Sequence, residues 1–253
     1  MKPRRFIGIA TVVVLLATWQ VLAVLHPNVF VPPVSTIAVA FVHEWFSAQF
    51  FSEAVPSLLR LTAGYMLAAG LGMTLGIAIG ASRWLFRALD PLLQFLRALP
   101  PAAIIPVGIL IVGLGDAMKV GVIAFGAIWP ILVNSIDGAR GVSDERLDTA
   151  RNFGLSRIET LRYVIFPSAL PQIFGGLRIG LGLAFIMVVI SEMIGSSNGL
   201  GYSILMAQRT FAIADMYAGI ALLAFLGYSF NALFTLAEHR VLAWHNGVSA
   251  RSI

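Results

Sequence analysis

Few side chains in this sequence could do chemistry, and their positions decide which chemistry is open. There is no cysteine, which removes thiolate nucleophiles, disulfides and Cys-based metal sites. The four histidines, His26, His43, His239 and His245, fall outside the apolar runs and form no metal pair; His43-Glu44 lacks the second histidine of a zinc-protease helix. A phosphate-binding Walker A loop needs Gly-Lys followed by Ser or Thr, and the two lysines, Lys2 and Lys119, each follow a methionine. This chain therefore has no means of its own to hydrolyse ATP by that route. What remains is one carboxylate inside an apolar run, Glu192, and one long charged interval, 137–172. An intramembrane carboxylate is a functional-site candidate, either as a structural anchor near a span end or as part of a gate or substrate path.

The elements that must position these groups are membrane spans. Of 253 residues, 58% are hydrophobic and 11% charged, and the mean hydropathy is +0.89. A soluble domain has about a quarter of its residues charged, and so apolar a chain is not disordered. A helix needs about 20 mostly apolar residues to cross the hydrocarbon core. The runs 6–25, 61–82, 98–115, 120–136, 173–197 and 216–237 meet this, so the chain reads as an all-α integral membrane protein of about six spans in a single domain, 1–253. The first run is 20 residues long and carries Trp19 near its far end, which fits a retained helix better than a signal peptide. The interval 34–59 sets Val34, Ile37, Phe41 and Trp45 on one helical face after Pro32-Pro33 and reads as a periplasmic or interfacial helical segment.

Charge sets the orientation. With the N-terminus inside, Lys2, Arg4, Arg5, Arg83, Arg87, Arg97, Arg140, Arg146, Arg151, Arg157, Arg162, Arg178, Arg240 and Arg251 are cytoplasmic, and only Arg60, Lys119 and Arg209 lie outside. This positive-inside bias places both termini in the cytoplasm, and it accounts for the net +5 without nucleic acid. Arg97 and Arg178 fall at inner span ends, where snorkelling to headgroups competes with a functional reading. Within 61–82, Gly64, Ala68, Gly72, Gly76 and Gly80 recur every four residues, a stripe that admits a close helix neighbour, for tight packing or as a sliding surface. Pro100, Pro101 and Pro106 free backbone carbonyls at the start of 98–115, which is tolerable only against protein or a water-lined cavity; this puts that segment near a pathway.

The interval 139–172, entered through Gly138-Ala139-Arg140-Gly141, runs from Asp144 and Glu145 through Arg151 to Gly154, an order that suits a short helix with a glycine stop. A second short helix can start at Ser156 and is expected to end by Pro167. On periodicity alone, this is either a solvated loop or a built surface. Asp148-Thr149-Ala150, three residues, Gly154, nine residues, then Val164-Ile165-Phe166-Pro167 resembles the EAA motif of ABC importer permeases, with Asp148 for Glu, Thr149 for Ala, and Val164 and Phe166 at the two aliphatic positions. Arg97-Ala98-Leu99-Pro100-Pro101, Gly113-Leu114-Gly115-Asp116 with Lys119, Trp129-Pro130 with Asn134, Ser191-Glu192 and Gly199-Leu200-Gly201-Tyr202 resemble the nitrate, sulfonate, taurine and bicarbonate branch, a likeness running from Arg60 to Trp244.

The resemblance implies the type I (MetI-like) importer permease fold. It also implies a coupling helix whose residues Asp148, Thr149, Ala150, Arg151, Asn152, Phe153 and Gly154 dock on an ATPase subunit present in two copies. Further implied partners are a second permease copy, most simply making a homodimer, and a periplasmic or lipid-anchored substrate-binding protein. ATP and Mg belong to the ATPase, with no cofactor in this chain. Arg97, Pro100, Pro101, Asn134 and Glu192 are expected on the translocation path or gate of a small anionic solute. The competing class is a secondary transporter or channel working without an ATPase.

Overall fold

The computed structural model describes residues 3–243. Lys2, Trp244, His245 and Arg251, and the side chains of Arg4 and Arg5, lie outside the described residues. Helices are α1 (Pro3–Leu25), α2 (Val34–Trp45), α3 (Val55–Gly80, entered through a π turn at Phe50–Ala54), α4 (Arg83–Arg97), α5 (Ile105–Val112, entered through a 3-10 turn at Pro101–Ile104), α6 (Asp116–Arg140), α7 (Asp144–Asn152), α8 (Arg157–Thr160), α9 (Phe166–Gly195), α10 (Leu200–Arg209) and α11 (Ile213–Val241). Among the described residues no strand forms beyond an isolated bridge between Asn28 and Val31.

Among the described residues, four continuous helices, Phe50–Gly80, Asp116–Arg140, Arg157–Gly195 and Ile213–Val241, are long and apolar enough to cross a membrane. Two details depart from the sequence reading. The run 98–115 is not one straight helix: Pro101–Val112 is bent by 85° from α4, and only the pair together passes as a span. Pro100 and Pro101 remove two backbone donors in succession, which breaks the helix there. Nor does Pro167 end the helix that starts after Ser156. It falls in the first turn of α9, and the π turn Leu161–Ile165 just before it carries the helix through.

The chain divides into two compact units. In the larger, Leu58–Ser196 with Gly227–Ile253, α6 is the central element, with 12 of its residues buried. The small-residue stripe of α3 lies against it: a Cβ on Gly64 would stand 2.7 Å from Ile123, on Gly72 2.9 Å from Ile131, on Gly76 2.5 Å from Ser135 and on Gly80 2.6 Å from the Ile136 carbonyl, and Ala68 is fully buried. α9 meets α6 through Gly176 and Gly180, packed on Asn134, Ile131 and the Ala127 carbonyl. In lipid, where apolar burial drives little, this close approach is the source of helix association. In the smaller unit, Met1–Ser57 with Ser197–Leu226, Trp45, Ala54, Leu200, Ala218 and Leu222 form the core. There the N-terminus of α10 is satisfied from outside its own helix: the Gly199 amide donates to Glu53 at 2.7 Å and the Leu200 amide to Ser57 at 2.8 Å.

Candidate functional site

The charged interval folds into one short helix, α7, a glycine bend, and the start of the long helix that runs from α8 into α9. Asp144 and Glu145 occupy the first turn of α7 and Arg151 the last, each matched to the helix dipole. Gly154, at φ +71°, closes the helix: its amide donates to the Arg151 carbonyl at 2.9 Å, and the Leu155 amide reaches back to Ala150 at 3.1 Å. This is a Schellman closure, which fixes the direction in which the chain leaves. Ser156 then opens α8 with a reciprocal capping box to Glu159. Hydrogen bonding by Ser156, its hydroxyl first and its amide second, holds the Glu159 carboxyl below the usual carboxylate range. The result is a built surface. Arg146, Thr149, Ala150, Phe153, Leu155 and Tyr163 help line a groove of about 680 Å³, and Phe153 stands 80% exposed on it. Of the seven residues Asp148 to Gly154, only Ala150 is buried, and Arg151 pairs with Asp148 at 2.9 Å.

Arg97 and Asn134, distant in sequence, line one cavity of about 500 Å³ with Gln94, Trp129, Pro130 and Val133. Gln172 donates to Asn134 at 3.1 Å, and Asn134 donates to the Pro130 carbonyl at 2.8 Å, so the amide is held in place. Pro100 and Pro101 form the adjoining bend and do not line this cavity; neither does Glu192.

Glu192 instead lies in a buried charge cluster. It is 0% exposed, and its carboxylate accepts from Arg60 Nη1 at 2.7 Å. Arg60, 4% exposed, also donates through Nε to Asp116 at 2.7 Å. Lys119, equally buried, donates to Ser196 at 2.8 Å and stands 3.6 Å from Asp116, whose side chain is 70% exposed. Two cations and two carboxylates balance, and they tie α3, α6 and α9 together. The sequence reading set Arg60 and Lys119 in outside loops; the structure buries both. The signal available was Glu192 itself, since a buried carboxylate needs a cation, and Arg60 and Lys119 head two apolar runs. Gly195-Ser196-Ser197-Asn198-Gly199 has the spacing of a nucleophile elbow, but an elbow turns from a strand into a helix, and here the segment joins two helices.

Residues 68–243 match the family described as the binding-protein-dependent transport system inner membrane component. The chain belongs to that family. Its relatives include the aliphatic sulfonates transport permease SsuC of Bacillus subtilis, 36% identical over 242 residues, covering 94% of this chain and 87% of that protein. The taurine transport permease TauC of Escherichia coli is 30% identical over 96% of this chain and 90% of its own length. The nitrate import permease NrtB of Synechocystis is 33% identical over 74% of this chain and 68% of its own length. A chain of the MetNI methionine ABC transporter superposes with a TM-score of 0.62 at 20% identity, covering 76% of this chain and 93% of that one. The protein is an ABC importer permease: an all-α, multi-pass component of the inner membrane with the type I importer fold. Within this permease, the Gly154 bend falls at the glycine position of the EAA pattern.

Proposed function

We propose that this permease forms the translocation path for a small anionic solute of the nitrate, sulfonate, taurine or bicarbonate kind, driven by ATP hydrolysis on two separate ATPase subunits. The names of its relatives, which specify aliphatic sulfonates, taurine and nitrate, support that solute class. The observation that carries the coupling role is the helix closed by Gly154 and followed at once by a capped second helix, with Phe153 exposed on its groove. A helix held rigidly at both ends transmits a rigid-body movement, whereas a mobile loop does not. Asp148 to Gly154 are the ATPase contacts. Arg97 and Asn134 line the solute path, with Pro100 and Pro101 shaping its bend; Glu192 acts as an anchor. The permease works as a homodimer, because two ATPase subunits need two coupling helices and this chain carries one. Both termini and the interval 139–172 face the cytoplasm, and a soluble or tethered binding protein delivers the solute on the other side.

The test is uptake by the permease and ATPase reconstituted in vesicles, with and without the binding protein. ATP-driven inward movement of a sulfonate or nitrate that stops when the binding protein is omitted is the expected result. Selective uptake without a binding protein, or uptake without an ATPase, overturns the reading.

A further inference from the structure

Where α3 ends at Gly80 and α6 ends at Arg140, two helices long and apolar enough to cross a membrane end side by side, Gly80 against Ile136 and Ala139, and a cavity of about 430 Å³ opens beside them. Three arginines, Arg83, Arg87 and Arg140, line it against one carboxylate, Asp144. The single ion pair here is slack, Arg83 to Asp144 at 3.9 Å with both side chains largely exposed. Among the described residues neither Arg87 nor Arg140 stands within 4 Å of a carboxylate, although Asp90 and Asp137 each lie three residues away on the same helix. The Arg140 guanidinium carbon stands over the Phe86 ring, 3.7 Å from its centroid, a cation–π contact that uses none of its hydrogen-bond donors.

α4, which supplies two of these arginines, is strongly amphipathic. Leu85, Phe86, Leu89 and Leu93 pack inward on Ile79, Leu132 and Ile136. Arg83, Arg87, Asp90, Gln94 and Arg97 form a polar stripe at helical spacing. A third stripe, Trp84, Leu92 and Phe95, is apolar and exposed, and Trp84 at 77% adjoins Arg83 in sequence. A tryptophan beside arginines at the ends of spans suits the level of lipid headgroups, with aliphatic and aromatic side chains reaching the acyl region. Guanidinium forks match phosphate oxygens.

We propose that this cavity seats the phosphate of an anionic phospholipid, whose acyl chains lie along the exposed apolar stripe of α4. Arg87 and Arg140 are the phosphate donors, and Arg83 joins them at the cost of only a slack pair. That the lipid belongs to the cytoplasmic leaflet rests on the orientation proposed above; that the site binds lipid does not.

The full-length permease, purified with its ATPase subunits in mild detergent, is exposed to phosphatidylglycerol or phosphatidylcholine, and retained lipid is read by native mass spectrometry. Phosphatidylglycerol is retained in preference. Its retention falls about fivefold for each arginine removed, in R87Q and again in R87Q/R140Q. Inorganic phosphate at millimolar concentration does not displace it. R87Q alone, at an exposed side chain, keeps the test available if the double variant fails to assemble. Equal retention of the two lipids, or retention unchanged in R87Q, overturns the proposal. Displacement by inorganic phosphate points to a free-anion site and overturns the lipid assignment. Retention that appears only when the ATPase is absent marks the cavity as an ATPase contact and overturns it as well.

Discussion

Arg60 stands at the head of an apolar run and answers two carboxylates, Asp116 and Glu192, that lie 56 and 132 positions further along the chain. Removing one partner of a buried pair costs about 3–5 kcal/mol, because the other charge is left in a low-dielectric site without compensation. Arg60→Met is therefore expected to lower the thermal midpoint of the purified permease sharply. Adding Glu192→Gln should recover much of that loss, since it removes the buried carboxylate that Arg60 neutralises and leaves Asp116 with Lys119. Thermal unfolding in detergent of both single variants and the double variant makes the comparison. A double variant no more stable than R60M would show that the pair is not what the arginine serves. In transport, Glu192→Gln is expected to slow uptake more than it changes the choice of solute, as an anchor outside the Arg97 cavity should.

At the scale of elements, two glycine positions separate architecture from coupling. Gly154 sits at φ +71°, where a β-branched side chain is strained. Gly154→Val should distort the exit from α7, while Arg151→Glu gives up only an exposed pair with Asp148, which contributes little to stability. Both variants are expected to insert and fold yet lose solute-stimulated ATP hydrolysis in the reconstituted complex; wild-type uptake in both would remove the coupling assignment. On α3 the contrast is steric. Gly72→Leu puts a branched side chain where even a Cβ would meet Ile131 at 2.9 Å, and it should collapse the yield of folded permease. Gly70, two residues earlier with nothing within 4 Å of its Cβ position, should accept alanine with near wild-type yield. Equal yields from the two variants would mean that the stripe does not hold α3 against α6.

For the whole molecule, the expected topology has both termini inside. Two of the three cations that the loop count set outside, Arg60 and Lys119, are buried in pairs, so they are not loop charges and the asymmetry is sharper than the count implied. A periplasm-active reporter fused after Arg251 should stay silent, as should one inserted in the interval 139–172, whereas one placed at Asn28 should be active. A strong signal from the Arg251 fusion would require one span more or fewer than six.

Apolar length and composition determined in the sequence that this is a multi-span membrane protein, and the residues from Asp144 to Ser156 that a short helix with a glycine stop is followed by the start of a second helix, because span length, helix capping and a glycine stop are all local. The glycine stripe was legible for the same reason, as periodicity in one helix, but its partner was not: only packing selects α6 over any other span. The 85° bend before α5 was half legible, since Pro100 and Pro101 announce a break and not its angle. The joint cavity of Arg97 and Asn134 and the cluster of Arg60, Asp116, Lys119 and Glu192 were decided by tertiary structure alone. Each depends on which helices lie side by side, and charges at the ends of separate runs look alike in sequence whether they meet water or one another.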